Sequence, residues 1–251
     1  MKEFPPYFEF AHPYGPEDLP HSGYITSPKG LSDPAAPEIA PAYADFFQHA
    51  PQRLQALAQS VENPEFAQWL DSLAQMDVLL ETHGYDPLPP GPRHILGFHD
   101  LPNFTEWQNN WPCYGISVIL VDSADVPETV PAALREVYRL GAVWIWGWPG
   151  SGNFLNPDEL LPVPQVEYIG DYMRDCYPDS SLNFEEIIPF YSDSGCWLMY
   201  DKSETVYCGG VECGECWNSG LKLDTVIANI FRGLRTGARN NIESFAPKPK
   251  S

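Results

Sequence analysis

The 251-residue chain sets 34 aspartates and glutamates against 14 lysines and arginines, for a formal charge of −20. A field of that sign repels nucleic acid and anionic membrane surfaces and attracts basic partners, which removes direct nucleic-acid binding from the expected functions. No run approaches the roughly 18 uninterrupted apolar residues of a membrane span, and the opening MKEFPPYFEF has no secretory pattern, so a cytoplasmic protein with reduced cysteines and no membrane partner is expected.

Residues 1–50 hold prolines at 5, 6, 13, 16, 20, 28, 34, 37 and 41. Each removes a donor and restrains its predecessor, so this stretch is expected to sustain no helix. Its aromatics, Phe4, Tyr7, Phe8, Phe10, Tyr14 and Tyr24, argue against plain disorder. It reads as an irregular arm lying over a folded body. A helical extension follows over 51–93. Pro51 suits a first helical position, with Leu54, Leu57, Ala58 and Val61 at helical spacing. Asn63 and Pro64 then form a cap and first turn for a stripe of Phe66, Trp69, Leu70, Leu73, Met76 and Leu80, ended by Gly84. The turn-rich YDPLPPGPRH marks a boundary before the main domain.

From residue 94 the pattern becomes one of strands. HILGFH and YGISVILV are short and β-branched; VPAALREVYRL is a helix; VWIWGW, VEYIGDY, IIPFYS, CWLMY and TVYC are strands separated by Asp, Ser and Gly. Their close spacing implies an antiparallel meander. Leu223, Val226, Ile227, Ile230, Phe231 and Leu234 form one face of a last helix that closes over the sheet. The fold class is therefore α+β, a mainly antiparallel sheet with flanking helices over residues 94–235. The basic tail, 236–251, has no pattern that could pack and is expected to fray.

Three features compete as functional sites. The first is the thiol-rich run containing Cys196, Cys208, Cys213 and Cys216. CGEC is one close-spaced pair without a second, so it reads as thiols in a glycine-rich hairpin, with a zinc site of those four residues as the alternative and redox work as a further one. The second is the set of enzyme signatures, and none is complete: GWPGSGN has no central serine elbow, and no G-K-[ST] or H-E-x-x-H occurs. No catalytic residue and no cofactor are expected. The third is a partner surface. VWIWGW sets Trp144, Trp146 and Trp148 on one strand face, either packed under a helix or exposed as anchors. Acids are concentrated nearby at Asp158, Glu159, Asp171, Asp175, Asp179, Glu185, Glu186, Asp193 and Asp201.

The order of segments resembles the SUKH superfamily (SMI/KNR-like). VPAALREVYRLGAVWIWGWPGSGNFLNPDEL is similar to its proline-started helix, aromatic strand and FLxxDEL run, and EIIPFYSDSGCWLMYDKSETVYCGG to its following strand signature. TEWQNNWPCYGISV and LDTVIANIFRGL occupy two further family positions with different letters. The resemblance covers roughly residues 94 to 235. It implies a strongly curved sheet, no catalysis and no cofactor, and it places Trp144, Trp146, Trp148, Asp158, Glu159, Asp193 and Asp201 at the binding face. Bacterial members are largely immunity proteins that neutralise a cognate toxin, often a nuclease; fungal relatives act as scaffolds. A cognate toxin is thus the expected partner. A scaffold working through the proline-rich arm is the second expectation.

Overall fold

The computed structural model describes residues 7–10, 22–25, 27–36, 38–75, 77–83, 94–98, 115–121, 125–146, 152–177, 182–193, 195–210, 215–236 and 242–249. Its strands are β1 (Tyr7–Phe10), β2 (Ser22–Ile25), β3 (Asp77–His83), β4 (His94–Phe98), β5 (Gly115–Ile119), β6 (Ala142–Trp146), β7 (Gly152–Phe154), β8 (Ile187–Asp193), β9 (Cys196–Asp201), β10 (Thr205–Gly210) and β11 (Trp217–Lys222). All eleven join one sheet whose spatial order follows the chain. Each strand runs antiparallel to its neighbour, as short connections demand. The helices are α1 (Pro41–Ala58), α2 (Pro64–Leu73), α3 (Ala132–Tyr138), α4 (Glu167–Cys176), α5 (Leu223–Thr236) and the short α6 (Ile242–Phe245). An antiparallel sheet flanked by helices is the α+β class expected from the strand pattern.

β9 shows how the sheet divides the molecule. Its residues 196–200 are all buried, and they alternate between two separate cores. Cys196, Leu198 and Tyr200 enter a large core that runs from Ile25 to Ala246 and includes α1, α2, α3, α5 and α6. Trp197 and Met199 enter a small core with Leu155, Val163, Val166, Ile169, Met173 and Ile187 under α4. On the large side Phe66 of α2 stacks on Phe231 of α5 at 4.4 Å between ring centroids, and Trp69 lies 4.9 Å from the same ring. Glu65 joins the two helices through Arg232 (2.9 Å) and Arg235 (2.8 Å). The hydrogen bond from Arg235, then that from Arg232, holds its carboxyl below the usual range.

Several expectations are corrected here. The described parts of the first fifty residues depart from an irregular arm, since they supply β1, β2 and the start of α1 at Pro41; residues 1–6 and 11–21 lie outside the described residues. Pro51 lies inside α1, where it removes an amide and crowds the preceding turn, and His49 leaves helical geometry at φ −120°, ψ 17°. Asn63 caps α2 as its sequence suggests, its Oδ1 accepting from the amides of Glu65 and Phe66 (both 3.1 Å). That helix ends at Leu73, however, and Leu80 is buried in β3. Because α1 and α2 share the large core with the later strands, the expected boundary at 84–93 does not separate two cores. VEYIGDY is helical, since Val166, Ile169 and Met173 repeat every three to four residues and outweigh a brief alternation. Gly170 permits the close approach, because a Cβ there would lie 2.7 Å from the Val163 carbonyl oxygen.

The C-terminal segment also packs instead of fraying. Ile242, Phe245 and Ala246 are buried. The Ala246 carbonyl accepts from Nε1 of Trp217 (2.9 Å), and the Phe245 carbonyl from Nδ2 of Asn229 (2.9 Å).

Two turns set the end of the sheet. After β9 the Asp201 carboxylate accepts from Ser203 N (2.8 Å), Ser203 Oγ (2.7 Å), Thr205 N (3.0 Å) and Tyr207 Oη (2.9 Å). Burial alone would raise its pKa, but the bonds from Ser203, Thr205 and Tyr207 together hold it below the ordinary aspartate value. Between β10 and β11 the register shifts at Thr205/Tyr207, which interrupts the ladder. Ser219 repairs it: its Oγ donates to the Val206 carbonyl (2.7 Å) and accepts from Leu221 N (3.1 Å). Asn218 Oδ1 takes the amide of Gly220 (2.7 Å), whose φ of +71° suits glycine.

Candidate functional site, the acidic α4 layer

The segment from 152 to 193 carries nine acids and one base, Arg174. It contributes α4, three 3₁₀ turns (Pro157–Glu159, Val163–Gln165, Phe184–Glu186) and β7 and β8. α4, Val163 of the second turn and Phe184 of the third pack over the small core, so the acids of α4 and of the third turn lie on the side of the sheet opposite α1, α2 and α5, whereas Asp158 and Glu159 of the first turn lie near Tyr138 of the large core. Tyr172, Tyr177, Phe184 and Tyr207 stand half-buried around that core and present aromatic surface among the carboxylates.

The expected partner residues fall into distinct groups. Asp171, Asp175, Glu185 and Glu186 are exposed on this layer, and Asp158 is exposed on the first 3₁₀ turn, near Tyr138 of the large core. Asp171 pairs with Arg174 (3.0 Å) and Glu186 with Lys202 (3.3 Å), both in the open solvent where such pairs are weak. Glu159 serves the local backbone, since its Oε2 accepts from the amide of Asn156 (2.9 Å) in a reciprocal cap of the first 3₁₀ turn. Asp193 is half-buried at the end of β8, and Asp201 is committed to the β9–β10 turn. Trp144 and Trp146 lie in β6, opposite Ser117 and Gly115 of β5. Their side chains, and Trp148 and Asp179 altogether, lie outside the described residues.

The described cysteines do not assemble as a metal set. Cys196 is disulfide-bonded, which corrects the expectation that all six thiols are reduced and takes its sulfur out of any zinc site. Cys208 belongs to the large core, whereas Cys216 packs on the small one, so the sheet lies between them. Cys213 lies outside the described residues, and no cluster of three or more metal-ligating side chains occurs among those described. Burial pushes the Cys208 thiol well up, and burial raises that of Cys216 to about 12, so neither is poised as a nucleophile near neutrality.

Sequence reasoning passed over Trp197. It is 6% exposed, its ring lies 5.8 Å from that of Tyr172, and its Nε1 finds no hydrogen-bond partner among the described residues. The signal was available: CWLMY is apolar at every position, and such a strand buries both faces, which puts Trp197 opposite Cys196 and Leu198.

Comparison with family models, with curated proteins and with solved structures finds no match to this chain. No helix among the described residues is long and apolar enough to cross a membrane.

Proposed function

We propose that this chain is an immunity protein of the SUKH type, which binds a cognate basic toxin of the nuclease class stoichiometrically and occludes its phosphate-binding surface. The observation that carries the reading is the gathering of carboxylates: residues 152–193 hold nine acids and one arginine, and Asp171, Asp175, Glu185 and Glu186 are exposed on elements that cover the small core, beside half-buried aromatics. A nuclease must offer phosphate a cationic surface, and an acidic, aromatic face is complementary to it in both charge and hydration. No catalytic step is part of this reading. The scaffold alternative is favoured less, because the described parts of residues 1–50 contribute β1, β2 and α1 to the sheet and the large core.

The test is co-expression with the product of the adjoining open reading frame. Protection of the host, formation of a one-to-one complex, and weakening of that complex by salt are the expected results. Charge reversal of Asp171, Asp175, Glu185 and Glu186 together should abolish protection while leaving the protein folded. Protection that survives the reversal, or an adjoining product that is neither toxic nor bound, overturns the proposal. The compartment is decided separately. Disulfides persist in oxidising surroundings, so the Cys196 bond counts against a cytosolic site of action. Denatured, unreduced protein from its native host should give fewer than six reactive thiols; six would restore the cytosolic expectation.

A further inference from the structure

Two buried tryptophans on opposite sides of the sheet end differently. Trp217 of β11, 8% exposed, gives its indole N–H to the Ala246 carbonyl at 2.9 Å. Trp197 of β9, 6% exposed, gives its own to nothing among the described residues. Buried polar hydrogens are almost always paired, so an isolated one calls for a reason. Its surroundings supply one. The ring lies under Tyr172 of α4, within the core rimmed by Tyr177 and Phe184, and the exposed carboxylates of Asp171, Asp175, Glu185 and Glu186 sit on the elements that cover it.

We propose that the α4 layer receives an arginine-rich segment of a protein partner, with the Trp197 indole N–H donated to a main-chain carbonyl of that segment. This deepens the acidic-face reading above and rests on it. Arginine fits the layer better than lysine: its planar guanidinium forks onto a carboxylate and also stacks on aromatic faces, and this layer offers both within one surface. The Arg174–Asp171 and Lys202–Glu186 pairs do not block the acids, since exposed pairs exchange at little cost. For a carbonyl to reach the indole, the half-buried Tyr172 ring, 5.8 Å from it, has to turn aside on binding.

The test uses the full chain with ¹⁵N-labelled indoles, eight in all, and Trp197→Phe to assign the resonance of interest. The probe is a capped ten-residue peptide of alternating arginine and glycine, with lysine–glycine and glutamate–glycine peptides as controls. At low salt the arginine peptide should bind, move the Trp197 indole proton downfield, and bind several-fold more tightly than the lysine peptide. Trp197→Phe should weaken binding about five- to tenfold, the loss of one hydrogen bond. The wild-type shift requires no variant to fold. Binding with the Trp197 resonance unmoved, or no binding to the arginine peptide, overturns this inference. Either result with host protection intact removes the inference alone, whereas failed co-expression protection removes the immunity reading itself.

Discussion

The two sides of the sheet differ in what covers them and in charge. α1, α2 and α5 together carry four acids and three arginines, and they meet through stacked rings and the Glu65 bridge to Arg232 and Arg235. The α4 side rests on a much smaller cluster of buried residues and exposes Asp171, Asp175, Glu185 and Glu186 with Arg174 as the one base of α4. One side is organised to hold the chain together, and the other to display charge on a thin support. The difference teaches that stability and the proposed recognition are separable here, because mutations on the two sides should move different observables.

The largest effect is expected at the centre of the stabilising side. Phe231→Ala removes a fully buried ring that touches Phe66, Trp69 and Phe154, and should cost about 3–5 kcal/mol in urea unfolding. A cost no larger than that of a surface change would break the contrast between the two sides.

Next comes Asp201→Ala, which strands the donors of Ser203, Thr205 and Tyr207 and should cost about 1–3 kcal/mol near neutral pH. The folded Asp201 pKa lies below its unfolded value. Its stabilisation is therefore fully present above the unfolded aspartate range, about pH 4, and is lost as pH falls through the lower folded value. The variant should consequently lose less stability than wild type on acidification, as read from unfolding curves between about pH 5 and 2.

A subtler comparison uses the two indoles. Trp217→Phe and Trp197→Phe remove similar volumes, but only Trp217 forfeits a hydrogen bond, so it should be the more destabilising by about 1 kcal/mol. Equal costs would mean that Trp197 has an acceptor after all. The smallest effect belongs to Asp175→Lys and Glu185→Lys, both exposed, which should leave the urea midpoint within about 0.5 kcal/mol of wild type.

Much of the later chain was legible in its sequence because each signal there is local. Short apolar runs separated by Asp, Ser and Gly give β8, β9 and β10; Asn63 with Pro64 gives the start of α2; the apolar stripe from Leu223 gives α5. The failures come where a local rule met a tertiary one. Proline density argued against helix before residue 50, yet Pro41 sits at the first turn of α1, where its missing amide costs nothing, and Phe46 and Phe47 anchor that helix in the large core. Packing also explains the tail, since Phe245 and Ala246 have no periodic partners and are held by Trp217 and Asn229 from other elements. For the candidate site, the gathering of acids could be read from their density along the chain. The unpartnered indole could not, because hydrogen bonding is settled only once neighbours are in place.

The repair at the last strand has a bearing on how these molecules behave together. A sheet border that leaves main-chain amides waiting acts as a template, and copies of a protein can stack on it into fibres. On β11, the last strand, the Asn218 side chain occupies the amide of residue 220, while Ser219 ties that of residue 221 back to β10. Substituting Asn218 with alanine would release that amide and loosen the last strand's own turn, and turbidity in concentrated solution is expected to rise relative to wild type.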